Sequence, residues 1–355
     1  MRRSLALMAI SVVALGLTGA AAAVRPATPP APAAKSWADA QIRTVTAAGI
    51  LGDDPGTFRP TDPLTRGELA DAIGVWGKPV DTPADPSKLV TMSELDAQLV
   101  GALGLTPAAR RIRIAARDAG LAPTSRLGTE TVARLLGLRL NHPQGSDDLE
   151  LLPSQPATRA EAAYSLARAV ALTAGQVTWL DQLSQTFTIP ELDAWQRAVL
   201  GRALRFVGYP YVWAGTSEVT QKVWSATAPG GWVTTPGGFD CSGFVWRVYK
   251  TKPFPGAPLL GDILKGRTTY AMSAEVKKPE RIGIEGLEPG DVVFFGAHGP
   301  KSTPLEVGHT GIYVGNGWFV HSSSAGVTLQ PLQGWYTTTF AWARRPLLEA
   351  GLTAQ

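Results

Sequence analysis

The sequence predicts an α+β protein with an all-helical N-terminal unit and a C-terminal unit in which helices pack on an antiparallel sheet. The chain has 355 residues, more than a single domain usually holds, so two folded units are expected. Helical periodicity with capping signals runs through 36–172. The C-terminal part has an amphipathic helix, followed later by a strand–turn–strand pattern.

Composition and local signals divide the chain into successive segments. The predicted segments are a signal peptide at 1–23, an Ala/Pro-rich linker at 24–35, helical repeats at 36–172, a linker at 173–190, the C-terminal α+β domain at 191–348 and a tail at 349–355.

The first residues have the pattern of an export signal. Arg2 and Arg3 precede an apolar run and a small-residue Ala-x-Ala site ending at Ala23. An uncleaved membrane anchor is the alternative, but the run is shorter than the roughly 20 residues that a spanning helix needs. The sequence therefore predicts a secreted protein with no membrane span after cleavage.

Charge and cysteine content narrow the function. A net charge of +4 without a basic run argues against nucleic-acid binding, and nothing in the sequence implies a cofactor. The chain has a single cysteine, so an internal disulfide is excluded. That cysteine is either a reactive thiol or an inert, buried small side chain.

The N-terminal helices begin with recognisable caps. Ile42 and Val45 share one helical face and Gly49 stands at the expected C-terminal cap. A turn-rich stretch then leads to Thr65 and Glu68, a capping box that marks the next helix.

The capping pattern recurs, which predicts an internal repeat in three copies. Thr158 and Glu161 repeat it clearly. Between this capping box and the first one, the segment 130–138 resembles the residues from Glu68 onward and is predicted to be the middle copy. The middle copy lacks arginine at the expected position.

The first copy resembles the S-layer homology repeat. The matching motifs are Trp37-Ala38-Asp39, Ala48-Gly49-Ile50, Gly56-Thr57-Phe58-Arg59-Pro60 and Leu64-Thr65-Arg66-Gly67-Glu68. This resemblance implies helical hairpins that hold a protein on a secondary cell-wall polymer, with Arg66 and Arg159 as polymer-binding residues. Helix capping alone equally explains the threonines and glutamates.

The C-terminal unit is predicted to begin with a helix whose apolar face ends near Gly208. Leu192, Val199 and Phe206 recur at helical spacing along this face. The segment 216–237, rich in Gly, Pro, Thr and Trp, is predicted to be a surface loop near the functional site.

Cys241 is predicted to stand at a helix N-terminus. Apolar residues at 244, 245 and 248 favour a helix packed against a sheet. Unpaired N–H groups and the helix dipole favour a thiolate there, so we expect a lowered pKa for the Cys241 thiol.

The four histidines have different expected roles. His142 is predicted to be a solvated loop residue, and His298 a structural or rim residue in a turn. His309 and His321 flank a predicted β-hairpin.

The hairpin register decides whether these two histidines meet. A three-residue loop at 315–317 pairs Val314 with Trp318 and puts His321 opposite Gly311, diagonal to His309. A two-residue Asn-Gly turn would shift the register by one and separate the histidines. A joint role for them therefore predicts the longer loop or a compensating bulge.

These residues indicate thiolate catalysis. His309 would take the thiol proton, His321 would fix the tautomer of His309, and N–H groups at the helix start, including that of Cys241, would hold an oxyanion. The reaction class is acyl transfer to water. A metal site is the alternative, but the spacing matches no compact zinc motif.

The region 192–346 resembles the NlpC family of papain-like cell-wall peptidases. The matching motifs are Tyr211-Val212-Trp213, Asp240-Cys241-Ser242-Gly243, Leu287-Glu288-Pro289-Gly290-Asp291, Gly308-His309-Thr310-Gly311-Ile312-Tyr313 and Val320-His321. The resemblance implies a papain-like fold and hydrolysis of peptidoglycan stem peptides, usually between γ-D-glutamate and a diamino acid. It also implies that Tyr211 lies against the nucleophile, and that Asp240 and Ser242 help to recognise the peptide.

Two further residues complete the predicted substrate site. Trp213 belongs to the first motif, and Thr269 stands where family members often carry serine. Helix capping by Asp240 and wall or core roles for Tyr211 and Trp213 are alternatives.

The leading hypothesis is a secreted peptidoglycan hydrolase held at the cell wall or cell surface by its repeats. Its partners would be stem peptides and a secondary wall polymer. A wall-binding protein with a vestigial peptidase domain, and an amidase or acyltransferase of related fold, are the alternatives.

Overall fold

The structure, a computed structural model, describes residues 36–225, 229–250 and 252–352. The predicted signal peptide at 1–23 and linker at 24–35 lie outside these ranges, as does the end of the predicted tail, 353–355. Within the described ranges no helix is both long enough and apolar enough to cross a membrane.

The N-terminal part is helical, as predicted. Its helices are α1 (Asp39–Ala47), α2 (Arg66–Val75), α3 (Met92–Ala102), α4 (Thr106–Asp118), α5 (Leu127–Leu135), α6 (Arg159–Val170) and α7 (Ala174–Thr186).

The predicted linker at 173–190 is largely helix α7. Thr173 and Gln176 form a capping box at its start, and Leu180 is buried. On its inner side, Ser184 accepts a hydrogen bond from Arg111 of α4 (2.8 Å). The segment is therefore a packed helix and not an extended connector.

Three helix starts meet around an approximate threefold arrangement. The residues just before Thr65, Thr91 and Thr158 form a cycle of backbone hydrogen bonds of 2.8–2.9 Å, from Leu64 to Ala157, from Val90 to Leu64 and from Ala157 to Val90. Each threonine caps the helix that follows it, namely α2, α3 and α6.

The predicted middle copy was wrong. Thr91 and Glu94 form the second capping box, at the start of α3, whereas 130–138 belongs to α5 and the turn after it. The expected arginine is replaced by Met92, which is buried. The second copy therefore lacks the Thr-Arg pattern that marks the other two copies.

The C-terminal part combines helices with short and long strands. Its elements are α8 (Ala194–Leu204), β1 (Thr216–Ser217), β2 (Gln221–Trp224), β3 (Trp232–Thr235), β4 (Gly238–Phe239), α9 (Cys241–Tyr249), α10 (Leu260–Ile263), α11 (Thr269–Ala274), β5 (Val292–Gly296), β6 (Val307–Gly315), β7 (Trp318–Ser323), β8 (Gly326–Pro331), α12 (Trp335–Thr339), β9 (Phe340–Arg344) and α13 (Pro346–Glu349).

The main sheet is antiparallel, with strand order β8-β7-β6-β5-β9. Helix α9 contacts its central strands β6 and β7. The apolar positions Phe244, Val245 and Val248 are fully buried, as the sequence predicted. The α+β fold class is confirmed.

The β6–β7 register lacks the predicted pair of Val314 with Trp318 but has the alternative that was predicted beside it, a compensating bulge. Ile312 pairs with Val320 and Tyr313 with Phe319, so Gly311 lies opposite His321. A bulge then pairs Gly315 with Trp318 around a tight turn in which Asn316 has φ 47°. The compensating bulge keeps the two histidines on the same face.

The described residues of the insertion, 216–225 and 229–237, include short strands where composition predicted a surface loop. Strands β2 and β3 pair as an antiparallel hairpin, with Trp224 opposite Trp232. The hairpin contacts the turn at 147–149 of the helical part.

Helical and sheet parts share one hydrophobic core. Arg134 of α5 is buried at their junction and donates hydrogen bonds to the carbonyls of Gly208 and Ala325. Glu130, one turn earlier, pairs with Arg134 at 3.6 Å. Arg134 thus has an ion-pair partner along α5 and backbone carbonyl partners across the junction, so the two parts pack as one body.

Candidate active site

Cys241 is the first residue of helix α9 and is partly buried. Asp240 is the N-cap residue, and its carboxylate accepts a hydrogen bond from the Gly243 N–H. The N–H groups of Ser242 and Thr310 point at the Cys241 sulfur, which places the thiol between the helix start and strand β6.

His309 on β6 and His321 on β7 are joined directly. Nε2 of His309 lies 2.7 Å from Nδ1 of His321, and the two rings are nearly perpendicular at 85°. His309 lines the same cavity as Cys241. Because Nε2 of His309 is engaged by His321, Nδ1 is the nitrogen left to exchange a proton with the thiol.

The resting pair is neutral, which corrects the prediction of a lowered thiol pKa. Burial, with the Asp240 carboxylate adding to it, raises the pKa of Cys241 to about 12. Burial lowers the pKa of His309 to about 4. The N–H groups at the helix start act in the opposite direction but are outweighed. The thiolate must therefore form together with the imidazolium, by proton transfer.

His321 is fully buried, and its surroundings reveal a residue that the sequence analysis missed. Its ring stacks on Phe319 at 4.4 Å. Among the described residues, Nε2 of His321 has no hydrogen-bond partner at normal distance. The polar group that approaches His321 is the Gln330 side chain from β8, where Gln330 pairs with Phe319.

Asp240 and Ser242 belong to a network with Arg267. The Arg267 guanidinium donates to the Asp240 carboxylate (2.9 Å) and to the Ser242 hydroxyl (2.7 Å). Ser242 also donates to Asp240 at 3.0 Å. The network fixes the helix start beside the nucleophile, and both predicted peptide-recognition residues already have protein partners.

Thr269 does not reach the cleft, contrary to the prediction that it contacts substrate. Its side chain is buried, and its hydroxyl donates to the carbonyl of Val307 (2.8 Å). Val307 begins strand β6, two residues before His309. The hydroxyl therefore anchors the strand that carries the histidine.

Tyr211 lines the cavity next to Cys241, whereas Trp213 is 45% exposed and lies outside that lining. Burial, followed by the charges that Cys241 and Asp240 can carry, raises the pKa of Tyr211. The phenol is therefore protonated near neutral pH and can donate a hydrogen bond into the cleft.

The cavity around the thiol has a volume of about 510 Å³. Trp335 and Tyr336 form an aromatic wall close to His309, with ring centroids 6.5 and 6.1 Å from its ring. The sequence analysis did not identify these two residues, since they lie in a short helix with no motif of its own. Their rings suit contact with the apolar parts of a bound molecule.

The opposite side of the cavity comes from the helical part, from residues 141–144. His142 is 4% exposed, and its Nε2 lies 3.1 Å from Glu161. The prediction of a solvated His142 was therefore wrong. The neighbouring Asn141, which the sequence analysis did not single out, bonds to the backbone of Tyr211.

Arg66 and Arg159 lie between the helical repeats. Arg159 pairs with Glu68, and Arg66 pairs with Glu94. Each arginine therefore joins its own copy to the capping glutamate of another copy. Arg159 also donates to the Phe58 carbonyl at 2.8 Å. Binding of a wall polymer by these residues stays a prediction.

A cysteine at a helix start beside paired histidines on an antiparallel sheet defines a papain-like thiol–imidazole site. Comparison with known families agrees. Residues 208–345 match the model of the NlpC/P60 family, and residues 32–70 match that of the S-layer homology domain. The chain thus carries an NlpC/P60 family domain preceded by an S-layer homology domain.

Two curated relatives match half of this chain or less. A gamma-D-glutamyl-L-lysine dipeptidyl-peptidase of Bacillus cereus is 29% identical over 50% of this chain and 45% of its own length. The probable peptidoglycan endopeptidase LytE of Bacillus subtilis is 34% identical over 38% of this chain and 29% of its own length. This chain therefore spans less than half the length of either relative.

A solved structure of an NlpC/P60 family protein from Bacillus cereus is also similar. The two chains are 27% identical, the match covers 46% of this chain and 43% of that one, and the TM-score is 0.31.

Proposed function

We propose that this chain is a peptidoglycan hydrolase, a cysteine endopeptidase that cuts stem peptides while its helical repeats hold it at the cell wall. The observation that carries the proposal is the 2.7 Å contact between His309 and His321 in the cavity that also holds Cys241. The NlpC/P60 family match and the names of the curated relatives support the substrate class.

In the acylation step, Nδ1 of His309 takes the proton from the Cys241 thiol as the sulfur attacks the scissile carbonyl carbon. The N–H of Cys241, at the first helical position, stabilises the oxyanion. The carbon–nitrogen bond then breaks, and the imidazolium returns the proton to the leaving amine. Water cleaves the resulting thioester with His309 again as base, which releases the acid and restores the thiol.

His321 selects the tautomer that this step needs. Nδ1 of His309 accepts a proton only if its Nε2 carries hydrogen and donates to Nδ1 of His321. Neutral His321 then carries its own hydrogen on Nε2. Burial lowers the pKa of His321, and the approaching Gln330 side chain acts in the opposite direction, as expected of a group that accepts from a ring N–H.

The name of one relative supports a choice of scissile bond. The dipeptidyl-peptidase of Bacillus cereus is named for a γ-D-glutamyl–L-lysine bond. We extend that bond class to this chain, so cleavage falls between γ-D-glutamate and the diamino acid. The Tyr211 phenol, protonated beside Cys241, supplies a donor for the peptide.

Surface location rests on the N-terminal part. The S-layer homology match at 32–70 supports attachment to the wall, with Arg66 and Arg159 as the polymer-binding candidates. Export through the N-terminal signal at 1–23 would bring the enzyme to this substrate.

The test is digestion of defined muropeptides by residues 24–355 and by its Cys241→Ala variant, with products identified by mass spectrometry. The parent is expected to release a fragment ending in γ-D-glutamate, and the variant none. Release of the whole stem peptide from the lactoyl group would show an amidase, and a product joined to an added amine would show an acyltransferase.

If neither protein cuts any muropeptide while both sediment with purified walls, the peptidase proposal fails. The chain would then be a wall-binding protein with a vestigial catalytic domain.

A further inference from the structure

Two loops that frame the cavity are held by the helical part of the chain. Arg134 donates to the carbonyl of Gly208, just before Tyr211, and to that of Ala325, next to the cavity residues Ser323 and Ser324. Residues 141–144 themselves complete the cavity wall. The cleft is therefore open on one side unless the helical part is in place.

Asn141 makes the closest connection. Its side-chain amide donates to the Tyr211 carbonyl at 3.0 Å, and its side-chain oxygen accepts from the Tyr211 N–H at 2.7 Å. This pair of bonds satisfies both polar groups of one residue's backbone, as a strand partner would. The Asp147 carboxylate accepts from the Trp213 N–H, so the segment 211–213 is held at two points.

Asn141 is itself fixed by its neighbour His142. The His142 backbone N–H donates to the Glu150 carboxylate, its Nε2 lies 3.1 Å from the Glu161 carboxylate, and its ring packs edge-on to Trp37 at 4.5 Å. These contacts leave the loop little freedom, because the side chain is buried and bonded.

The repeat pattern explains why a histidine stands there. Glu68 and Glu94 each receive an arginine from another copy, but the equivalent position for Glu161 is Met92, which cannot donate. His142 bonds to Glu161 instead. The side chains of Glu68 and Glu94 each accept from the backbone N–H of their own N-cap threonine. The Glu161 side chain does not form this second bond of the capping box. The third copy thus uses its glutamate to hold the loop that reaches the cleft.

We propose that the helical repeats are a working part of the catalytic cleft, in which Asn141, locked by His142 and Glu161, is a positioning residue for Tyr211. The inference rests on the proposed peptidase function and goes beyond wall attachment. The repeats would then be needed for cleavage of soluble muropeptides, to which no anchoring contributes.

The test uses the chain 24–355 with three single variants. Asn141→Ala removes both bonds to Tyr211, and Asn141→Asp keeps the size and the acceptor but loses the donor. Arg111→Ala is the matched control, since it breaks the contact of α4 with α7 inside the helical part, away from the cavity.

The measurements are kcat and KM on a soluble muropeptide and the melting temperature. In Asn141→Ala, displacement of Tyr211 beside the nucleophile is expected to lower kcat/KM by roughly 10²-fold. Asn141→Asp should show a smaller loss, and Arg111→Ala should stay within about twofold of the parent at a similar melting temperature.

A double variant adds a readout that simple destabilisation would not give. Asn141→Ala combined with His142→Gln should lose little more activity than Asn141→Ala alone, because the two residues act through one contact. Equal kcat/KM for Asn141→Ala and the parent would overturn the inference, as would additive losses in the double variant.

Alkylation of Cys241 separates this inference from the peptidase proposal. If even the parent cuts no muropeptide, the rate at which iodoacetamide labels Cys241 still reports on the position of the cavity side beside the thiol. It should rise severalfold in Asn141→Ala and not in Arg111→Ala. Equal labelling rates in the parent and Asn141→Ala would refute the positioning role on their own.

Discussion

Among the residues of the site, Cys241 and His309 have opposite pKa shifts with a common cause. Burial favours the neutral form of each group, so the pKa of the thiol rises to about 12 and that of the imidazole falls to about 4. A preformed ion pair is therefore not the resting state. The chemistry depends on one proton crossing from sulfur to nitrogen when substrate is bound.

The pH profile follows from this arrangement. Neutral His309 is the competent base, and its lowered pKa keeps it neutral above about pH 4, so kcat/KM should fall only as pH drops through that value. No rise is expected as pH passes the ordinary thiol pKa near 8.5, because the Cys241 pKa is raised to about 12. The measurement is kcat/KM against pH on a soluble muropeptide, with stability checked at each pH. An acid limb near 6.5, the usual histidine value, would contradict the assignment.

Gln330 supplies a second prediction at this scale. Gln330→Leu replaces the polar side chain that approaches the His321 ring by an apolar one, so its influence on the tautomer of His321 is lost. We expect kcat to fall by roughly tenfold or more with KM little changed. Gln333→Leu, at an exposed position on the same stretch, is the control. Equal kcat for both variants would show that Gln330 has no role in positioning His321 for catalysis.

Prediction from sequence was uneven across these residues. Cys241, His309 and His321 stand in local motifs, and the order and chemistry of these motifs identify them as candidate catalytic residues. Gln330 and Asn141 do not, because each acts through one contact with a distant segment, and Asn141 meets Tyr211 across 70 positions of sequence. The thiol pKa was mispredicted because burial depends on the whole fold, whereas the helix dipole can be inferred locally.

At the scale of elements, the β6–β7 hairpin brings the histidines together. Its register was predictable because alternation and the Gly-Asn-Gly turn leave only two arrangements, and the bulge selects the one that pairs the histidines. Gly311 allows the close approach: a Cβ there would lie 2.9 Å from Cβ of His321 and from the Val320 carbonyl oxygen.

Gly311→Ala should therefore displace β7 and His321 together. We expect overpacking to lower the free energy of unfolding by about 1–3 kcal/mol, measured by thermal or denaturant unfolding. The fold-decrease in kcat should be larger than the fold-change in KM. Gly283→Ala, where the added methyl group meets nothing within 4 Å, is the matched control. An active, fully stable Gly311→Ala variant would show that the strand spacing at this point is not required.

The repeats show where pattern recognition fails. Capping boxes predicted the starts of α2 and α6, but the second copy at Thr91 was missed because Met92 breaks the Thr-Arg signature. The cyclic hydrogen bonds that relate the three helix starts are non-local. The sequence alone does not reveal such an arrangement.

For the molecule as a whole, the central feature is the junction between the helical and sheet parts. The sequence predicted two units joined by a linker, whereas the structure has a shared core with buried Arg134 and Glu130 at the contact. Charged side chains are seldom buried without partners, and Arg134 has partners in both parts, Glu130 in α5 and the carbonyls of Gly208 and Ala325 in the sheet part.

This junction predicts cooperative unfolding. Residues 24–355 should melt in a single transition, with helix content by circular dichroism and tryptophan fluorescence lost together. The fragment 191–355 lacks the groups that hold the carbonyls of Gly208 and Ala325, so it should be less stable and inactive. Two separated transitions, or a fragment as stable as the full chain, would show that the parts fold independently.

The nucleophilic role of Cys241 is tested most directly by the intact mass of the protein, acid-quenched during turnover of a defined muropeptide. We expect a thioester adduct with the mass of the γ-D-glutamyl fragment, located on Cys241 by peptide mapping and absent from the Cys241→Ala variant. Cleavage of the muropeptide by Cys241→Ala, or an adduct on any other residue, would contradict it.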